Sequence, residues 1–165
     1  MLFRSMRAAV RLLPLLLLLA SGACGPSVDL TKGLQILDVS TGWYDAGIAD
    51  GQNKLVPFVS FKLKNVSERK LVTLQVNALF RRLGEKDEWG SGFLTAAGSD
   101  GPAPGATTAA LSIKSQLGYK GPEPRQEMLR NTKFVDAKVE LSAKYGSTQW
   151  ARIGEYPVAR QLIIP

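Results

Sequence analysis

The chain has 165 residues, 45% of them hydrophobic, with 21 basic and 14 acidic side chains, no histidine and one cysteine. A single cysteine excludes an internal disulfide, and the missing histidine removes the commonest general base and the commonest neutral metal ligand. The formal charge of +7 overstates the basicity of the body of the chain: Arg4, Arg7 and Arg11 fall within the first 23 residues, so 18 basic side chains face all 14 acidic ones over the remaining 142, and they are dispersed rather than gathered on one stretch, which argues against a nucleic-acid partner.

Residues 1–23 have the layout of a secretory signal: a positive start, an apolar run over 12–20 broken only by Pro14, and the small residues Ser21, Gly22 and Ala23. The apolar run is shorter than the ~20 residues a bilayer span needs. Cys24 directly after Gly22-Ala23 resembles the lipobox of bacterial lipoproteins, departing from it at Ser21, where Leu or Val is commoner. The resemblance implies cleavage before Cys24 and an acyl anchor on it, with the membrane as the first partner. It leaves no thiol for redox or nucleophilic work. Gly25 stands where some lipoproteins carry an inner-membrane retention Asp. By that analogy the expected location is the bacterial cell envelope, on the periplasmic face of the outer membrane. The alternative is an ordinary secretory signal that contains a Cys. The expected organisation is a signal over 1–23, a polar anchored tether over 24–33 and one domain over 34–165.

Within the domain, period-two alternation is the main signal. A first strand is expected over 34–44, with alternation broken between Ile36 and Leu37, and 45–54 reads as a loop. Residues 56–66 and 71–82 alternate cleanly across the polar turn 65–70 and are expected to form a hairpin. Pro57 is expected at a strand start or edge, since it cannot donate a ladder hydrogen bond. A charged turn covers 84–90, a weakly signalled strand 93–96 and a Gly/Pro/Ala-rich loop 97–106. A strand over 107–117 would place Leu111, Ile113 and Leu117 on one face. Pro124 can open a short helix to about Arg130, burying Met128 and Leu129. The clearest alternation is 133–145, with Val135 on the apolar face and Phe134, anomalously, on the polar one. Gly146-Ser147 suits a tight turn into a returning segment over 148–164, bent at Gly154 and interrupted at Pro157. About seven short strands with one short helix predict an all-β, antiparallel, immunoglobulin-like two-sheet sandwich, with a small barrel as the competing architecture.

No catalytic, cofactor-binding or metal-binding set emerges from the residues. Glu85, Asp87 and Glu88 beside Arg81, Arg82 and Lys86 read as a solvated turn; Asp38, Asp45 and Asp50 are too scattered for a calcium loop; 98–105 lacks the ending of a phosphate loop. The Asn65-Val66-Ser67 sequon is treated as chance. The aromatic residues Trp43, Tyr44, Trp89, Phe93, Tyr119, Trp150 and Tyr156 fall at strand ends or in loops. Trp43, Trp89, Phe93 and Phe134 are the candidate binding residues, and Trp89, flanked by Glu88, Gly90, Ser91 and Gly92, is the one most expected to be exposed. The reading favoured over a contact surface is that the Trp rings plug the open ends of the sandwich core.

Residues 58–117 resemble the FxLYD-type and related immunoglobulin-like domains of bacterial envelope lipoproteins. The likeness lies in Asn65-Val66-Ser67 after a strand, the alternation Leu74, Val76, Ala78 into Leu79-Phe80, and Pro104-Gly105 before the next strand. The family element itself reads Asn77-Ala78-Leu79-Phe80-Arg81 here, so only its apolar-aromatic pair is kept. The resemblance implies a non-catalytic accessory domain of the envelope, with an envelope protein as its second partner. It transfers no site residues. The functional expectation is therefore a lipid-anchored protein-binding or assembly module. The alternatives are a carbohydrate or peptidoglycan binder using exposed aromatics, and a docking lipoprotein of a secretion or pilus apparatus.

Overall fold

The computed structural model describes residues 27–164; the expected signal, Cys24 and the start of the tether lie outside them. Two sheets face each other. One runs β5–β2–β1–β9, with β6 also paired to β2; the other runs β4–β3–β7–β8. The strands are β1 (Leu34–Ala49), β2 (Gln52–Asn65), β3 (Leu74–Arg82), β4 (Gly90–Ala97), β5 (Leu111–Lys114), β6 (Tyr119–Gly121), β7 (Ala137–Tyr145), β8 (Ala151–Pro157) and β9 (Leu162–Ile163). Two short helices accompany them, α1 (Leu30–Gly33) and α2 (Arg125–Arg130). The expected two-sheet antiparallel sandwich is thus the fold, with a second helix of one turn and one parallel pairing, β1 with β9.

Alternation explains the core. Val59, Phe61 and Leu63 of β2 face Leu74, Val76, Ala78 and Phe80 of β3 and Val139, Leu141 and Ala143 of β7, all buried. Burying side chains of this size contributes about 1.5–3 kcal/mol each. The break at Ile36-Leu37 is a bulge: β1 and β2 lose register between Leu37 and Ser40, and Asp38 takes a positive φ of 51° there. Beyond the bulge Trp43 points inward and is completely buried.

Several expectations change. The stretch 45–54 is a hairpin rather than a loop: Ala49 pairs with Gln52 across Asp50-Gly51, both at positive φ (52° and 75°), as a two-residue Asp-Gly turn requires. β2 and β3 do not pair; they lie in different sheets. The connection changes layer around the buried Asn65. Its Nδ2 donates to the carbonyls of Arg69 and Pro102, and its Oδ1 accepts from the Ser67 N–H and hydroxyl. Buried amides of this kind are tolerated only when satisfied, and this one braces the corner between sheets. Pro57 is interior to β2, opposite Trp43. Its carbonyl accepts from the Ser115 N–H, so its ring nitrogen faces the same side, where β5 has ended and β6 has not begun.

The strand expected over 107–117 is only Leu111–Lys114, because the Leu117 N–H turns back to Ser115 Oγ; Leu117 is exposed, off the face it was assigned. β7 starts at Ala137, four residues later than expected, so Val135 is exposed and Phe134 is free to turn inward. α2 buries Met128 and Leu129 as expected, with Pro124 as its N-cap. The last part of the expected tether belongs to the domain: Leu30 is buried, and the Val28 N–H donates to the Tyr145 hydroxyl.

Candidate functional site

The candidate aromatics separate into two assemblies. The first closes one end of the sandwich. Trp43 comes from β1, Trp89 from the β3–β4 turn, Tyr119 from β6 and Phe134 from the turn after α2. Phe134 meets Trp43 edge-on at 4.5 Å between ring centroids and Tyr119 at 4.6 Å; Tyr119 meets Trp89 at 4.9 Å. The Arg82 guanidinium lies 5.5 Å from the Trp89 ring and that of Arg160 5.3 Å from Phe134. Arg160 also donates to both carboxylate oxygens of Asp136 and to the carbonyls of Leu129 and Phe134, tying α2, the start of β7 and the chain end together. The Tyr119 hydroxyl donates to the Val135 carbonyl, and burial pushes its pKa up. The Trp43 indole N–H has no acceptor among the described residues.

This assembly is core. Trp43 and Phe134 are buried, and Trp89, the foremost candidate for exposure, is half-buried against the core with its backbone N–H donating to the Phe80 carbonyl, in line with the favoured plug role. The glycines beside Trp89 misdirect the sequence reading. A Cβ on Gly90 would stand 2.1 Å from Ser115 Oγ, and one on Gly92 2.3 Å from Ile113 Cγ2 and 2.8 Å from the Lys114 carbonyl oxygen. They are small because β5 crosses directly over β4, not because the segment is a free loop. The depression beside the assembly, lined by Tyr119, Met128, Phe134 and neighbours, measures about 170 Å³, below the range of small-molecule sites, about 300–1,000 Å³.

The second assembly lies on the outer face of the β4–β3–β7–β8 sheet. Phe93 is 57% exposed and Trp150 43% exposed; their rings meet edge-on at 6.2 Å and 78°. Lys144 Nζ stands 5.1 Å from the Trp150 ring. Cross-strand register puts Phe93, Asn77 and Ser142 in one row and Thr95, Gln75 and Lys144 in the next. The face thus offers two exposed rings, amides, hydroxyls and one ammonium. Below these rows an ion-pair ladder joins Arg81 and Arg152 to Glu140, with Glu155 paired to Arg152 and Lys138. On the other sheet Tyr44 stacks with Phe58 at 6.1 Å beneath Lys114 Nζ, but both rings are half-buried.

Of the four candidate residues, then, Trp43, Trp89 and Phe134 come together as a structural plug, and Phe93 alone stands exposed. Its partner Trp150 was legible only as one aromatic among several. Register across three strands is what unites them. The carboxylates of the β3–β4 turn behave as a solvated turn: Glu85 pairs with Arg82 at 3.1 Å, and Asp87 and Glu88 are exposed. Among the described residues no cluster of three His, Cys, Asp or Glu could hold a metal, and no helix is long and apolar enough to cross a membrane.

No protein-family model matches the chain, and no curated protein matches it. Among solved structures it is similar to the Northeast Structural Genomics Consortium target SoR45, with 13% identity, TM-score 0.45, and coverage of 79% of this chain and 89% of that one. It is also similar to a Bordetella pertussis protein that carries the provisional name ApaA, with 14% identity, TM-score 0.41, and coverage of 77% and 93%.

Proposed function

We propose that this protein is a non-catalytic, lipid-anchored lipoprotein of the bacterial cell envelope, and that its sandwich is a protein-binding or assembly module working from the periplasmic face of the outer membrane. The observation that carries the binding half is the Phe93–Trp150 pair, exposed on the outer face of the β4–β3–β7–β8 sheet. Aromatic anchors surrounded by polar groups are the usual energetic centre of a protein contact. The Gly22-Ala23-Cys24 sequence supports the anchoring half. Anchoring confines the module to one membrane face and raises its effective concentration for partners there. In this reading the contact surface is the outer sheet face.

The test is a pull-down of the full-length protein from native membranes beside Cys24→Ala and Phe93→Ala. The reading expects wild type in the membrane fraction with a defined envelope protein, Cys24→Ala soluble or uncleaved, and Phe93→Ala membrane-bound without the partner. Release of both wild type and Cys24→Ala as soluble protein would refute the anchor.

A glycan is the second reading, favoured by the same rings standing beside Asn77, Gln75 and Ser142. Aromatic faces stack on sugar C–H groups while amides and hydroxyls meet sugar hydroxyls. Titration with soluble peptidoglycan fragments, followed by Trp fluorescence, separates the two: a saturable change lost in Trp150→Ala favours the glycan.

A further inference from the structure

We infer that the end of the sandwich bearing Ser27 sits against the phospholipid headgroup layer, and that the β1–β2 tip is the membrane-distal end. This rests on the lipid-anchor reading of Cys24. The decisive quantity is tether length. Val28 is already fastened, its N–H on the Tyr145 hydroxyl, and Leu30 is buried. Only the chain between Cys24 and Ser27 separates an acyl anchor from the folded domain. Three residues of fully extended chain reach about 11 Å, only a few Å more than the roughly 5–8 Å headgroup region of one leaflet. A domain held so closely cannot tumble freely above the bilayer, so the surface around Ser27 must face it.

That surface is defined. Ser27 borders two depressions, one shared with Arg69, Lys70, Val72 and Thr148, the other with Asp29, Gln149, Trp150 and Ala151, so the outer sheet face that carries the Trp150 ring begins at this end. Val66 and Val72 are exposed there, at 47% and 39%. Its charges are mixed, with Lys32, Arg69 and Lys70 alongside Asp29, Glu68 and Asp100, and the pairs Lys32–Asp29 and Lys70–Asp100 stand at a loose 4.0 Å. Alternating charge with small apolar groups matches a layer of phosphates and ammoniums over acyl chains. A strand the length of β1, 16 residues, spans about 50 Å, so exposed Ile48 near its far end stands well clear of the bilayer.

Because Cys24 is the only cysteine, acylation frees the chain for site-directed labelling. Full-length acylated Gln149→Cys and Ile48→Cys, each carrying a thiol-reactive fluorophore, are placed in phosphatidylethanolamine/phosphatidylglycerol vesicles containing headgroup-nitroxide lipid. Quenching several-fold stronger at position 149 than at 48 is expected. Equal or reversed quenching, in protein that floats with the vesicles, overturns the orientation and leaves the anchor standing. Failure of both proteins to float refutes the anchor itself, and the orientation falls with it.

Discussion

The plug that closes one end of the sandwich and the pair on the outer sheet face put the same residue types to contrary uses. Trp43, Trp89, Tyr119 and Phe134 converge from four separate segments, and Trp43 is 0% exposed. Phe93 and Trp150 meet edge-to-face on the outer face of one sheet, 57% and 43% exposed. Ring chemistry does not decide which role an aromatic takes. Backbone phase does: the bulge at Asp38 turns Trp43 inward, while unbroken alternation from Gly90 and Gly92 turns Phe93 out. The plug should therefore carry stability and little binding, and the face the reverse.

The sharpest way to break this contrast is to remove the centre of the plug. Trp43→Ala should cost about 3–5 kcal/mol in urea unfolding, the range for large aromatic truncations in cores. Trp43→Phe should cost clearly less, because it keeps a ring against Phe134 while deleting an indole N–H that has no acceptor among the described residues. A Trp43→Ala cost below about 1 kcal/mol would mean the end is not closed as described. Next in size is Gly92→Ala. Its Cβ would press on Ile113 Cγ2 and the Lys114 carbonyl, and overpacking of this kind costs about 1–3 kcal/mol. If Gly92→Ala were neutral, β5 would not cross β4 so closely, and the glycines would be loop residues after all.

These two positions also show where the sequence was readable. The alternation of β2, β3 and β7 is local and of period two, so the sandwich, its core faces and the small α2 could all be read directly. Sheet membership could not: 56–66 and 71–82 alternate as partners would, and only the buried Asn65, with its four hydrogen bonds, sends them to different layers. Phe134 was misassigned because alternation was carried four residues too far, through a turn closed by the Phe134 N–H on the Asn131 carbonyl. Asp50-Gly51 did carry a turn signal, but its neighbours Gly47, Gln52 and Asn53 made the whole segment look irregular. The Phe93–Trp150 contact joins residues 57 apart in sequence, and no local pattern announces such a pair.

A smaller effect concerns how α2 is held over the plug. Arg125, the first residue of α2, ion-pairs with Asp45 of β1. Partial burial raises the Asp45 carboxyl, but the Arg125 hydrogen bond, the Gly47 N–H and the Arg125 charge together outweigh it and hold the group below its ordinary 3.8. A carboxyl lowered in the folded state contributes stability that is complete above the unfolded value and lost as pH falls through the folded one. Wild type should therefore lose this contribution, about 1 kcal/mol at most for a pair of this exposure, only below about pH 4. Arg125→Met should flatten that part of the stability profile while leaving neutral-pH folding cooperative. An unchanged acid limb in Arg125→Met would remove Asp45 as its source.

The smallest expected effect on stability is the most informative for function. Phe93→Ala and Trp150→Ala should each shift unfolding by no more than about 1 kcal/mol, since exposed rings bury little and an aromatic pair adds only about 0.5–1.5 kcal/mol beyond its area. The double variant should cost less than the sum of the two singles, because the second truncation removes a contact already lost. Binding should behave otherwise. If the pair is the anchor of an interface, either truncation alone should cost at least 2 kcal/mol of affinity, about 30-fold in Kd. A protein that loses its partner without losing its fold locates function on the outer face. A Phe93→Ala variant as destabilised as Trp43→Ala would instead make the exposed rings a second piece of core, and the contrast between the two assemblies would disappear.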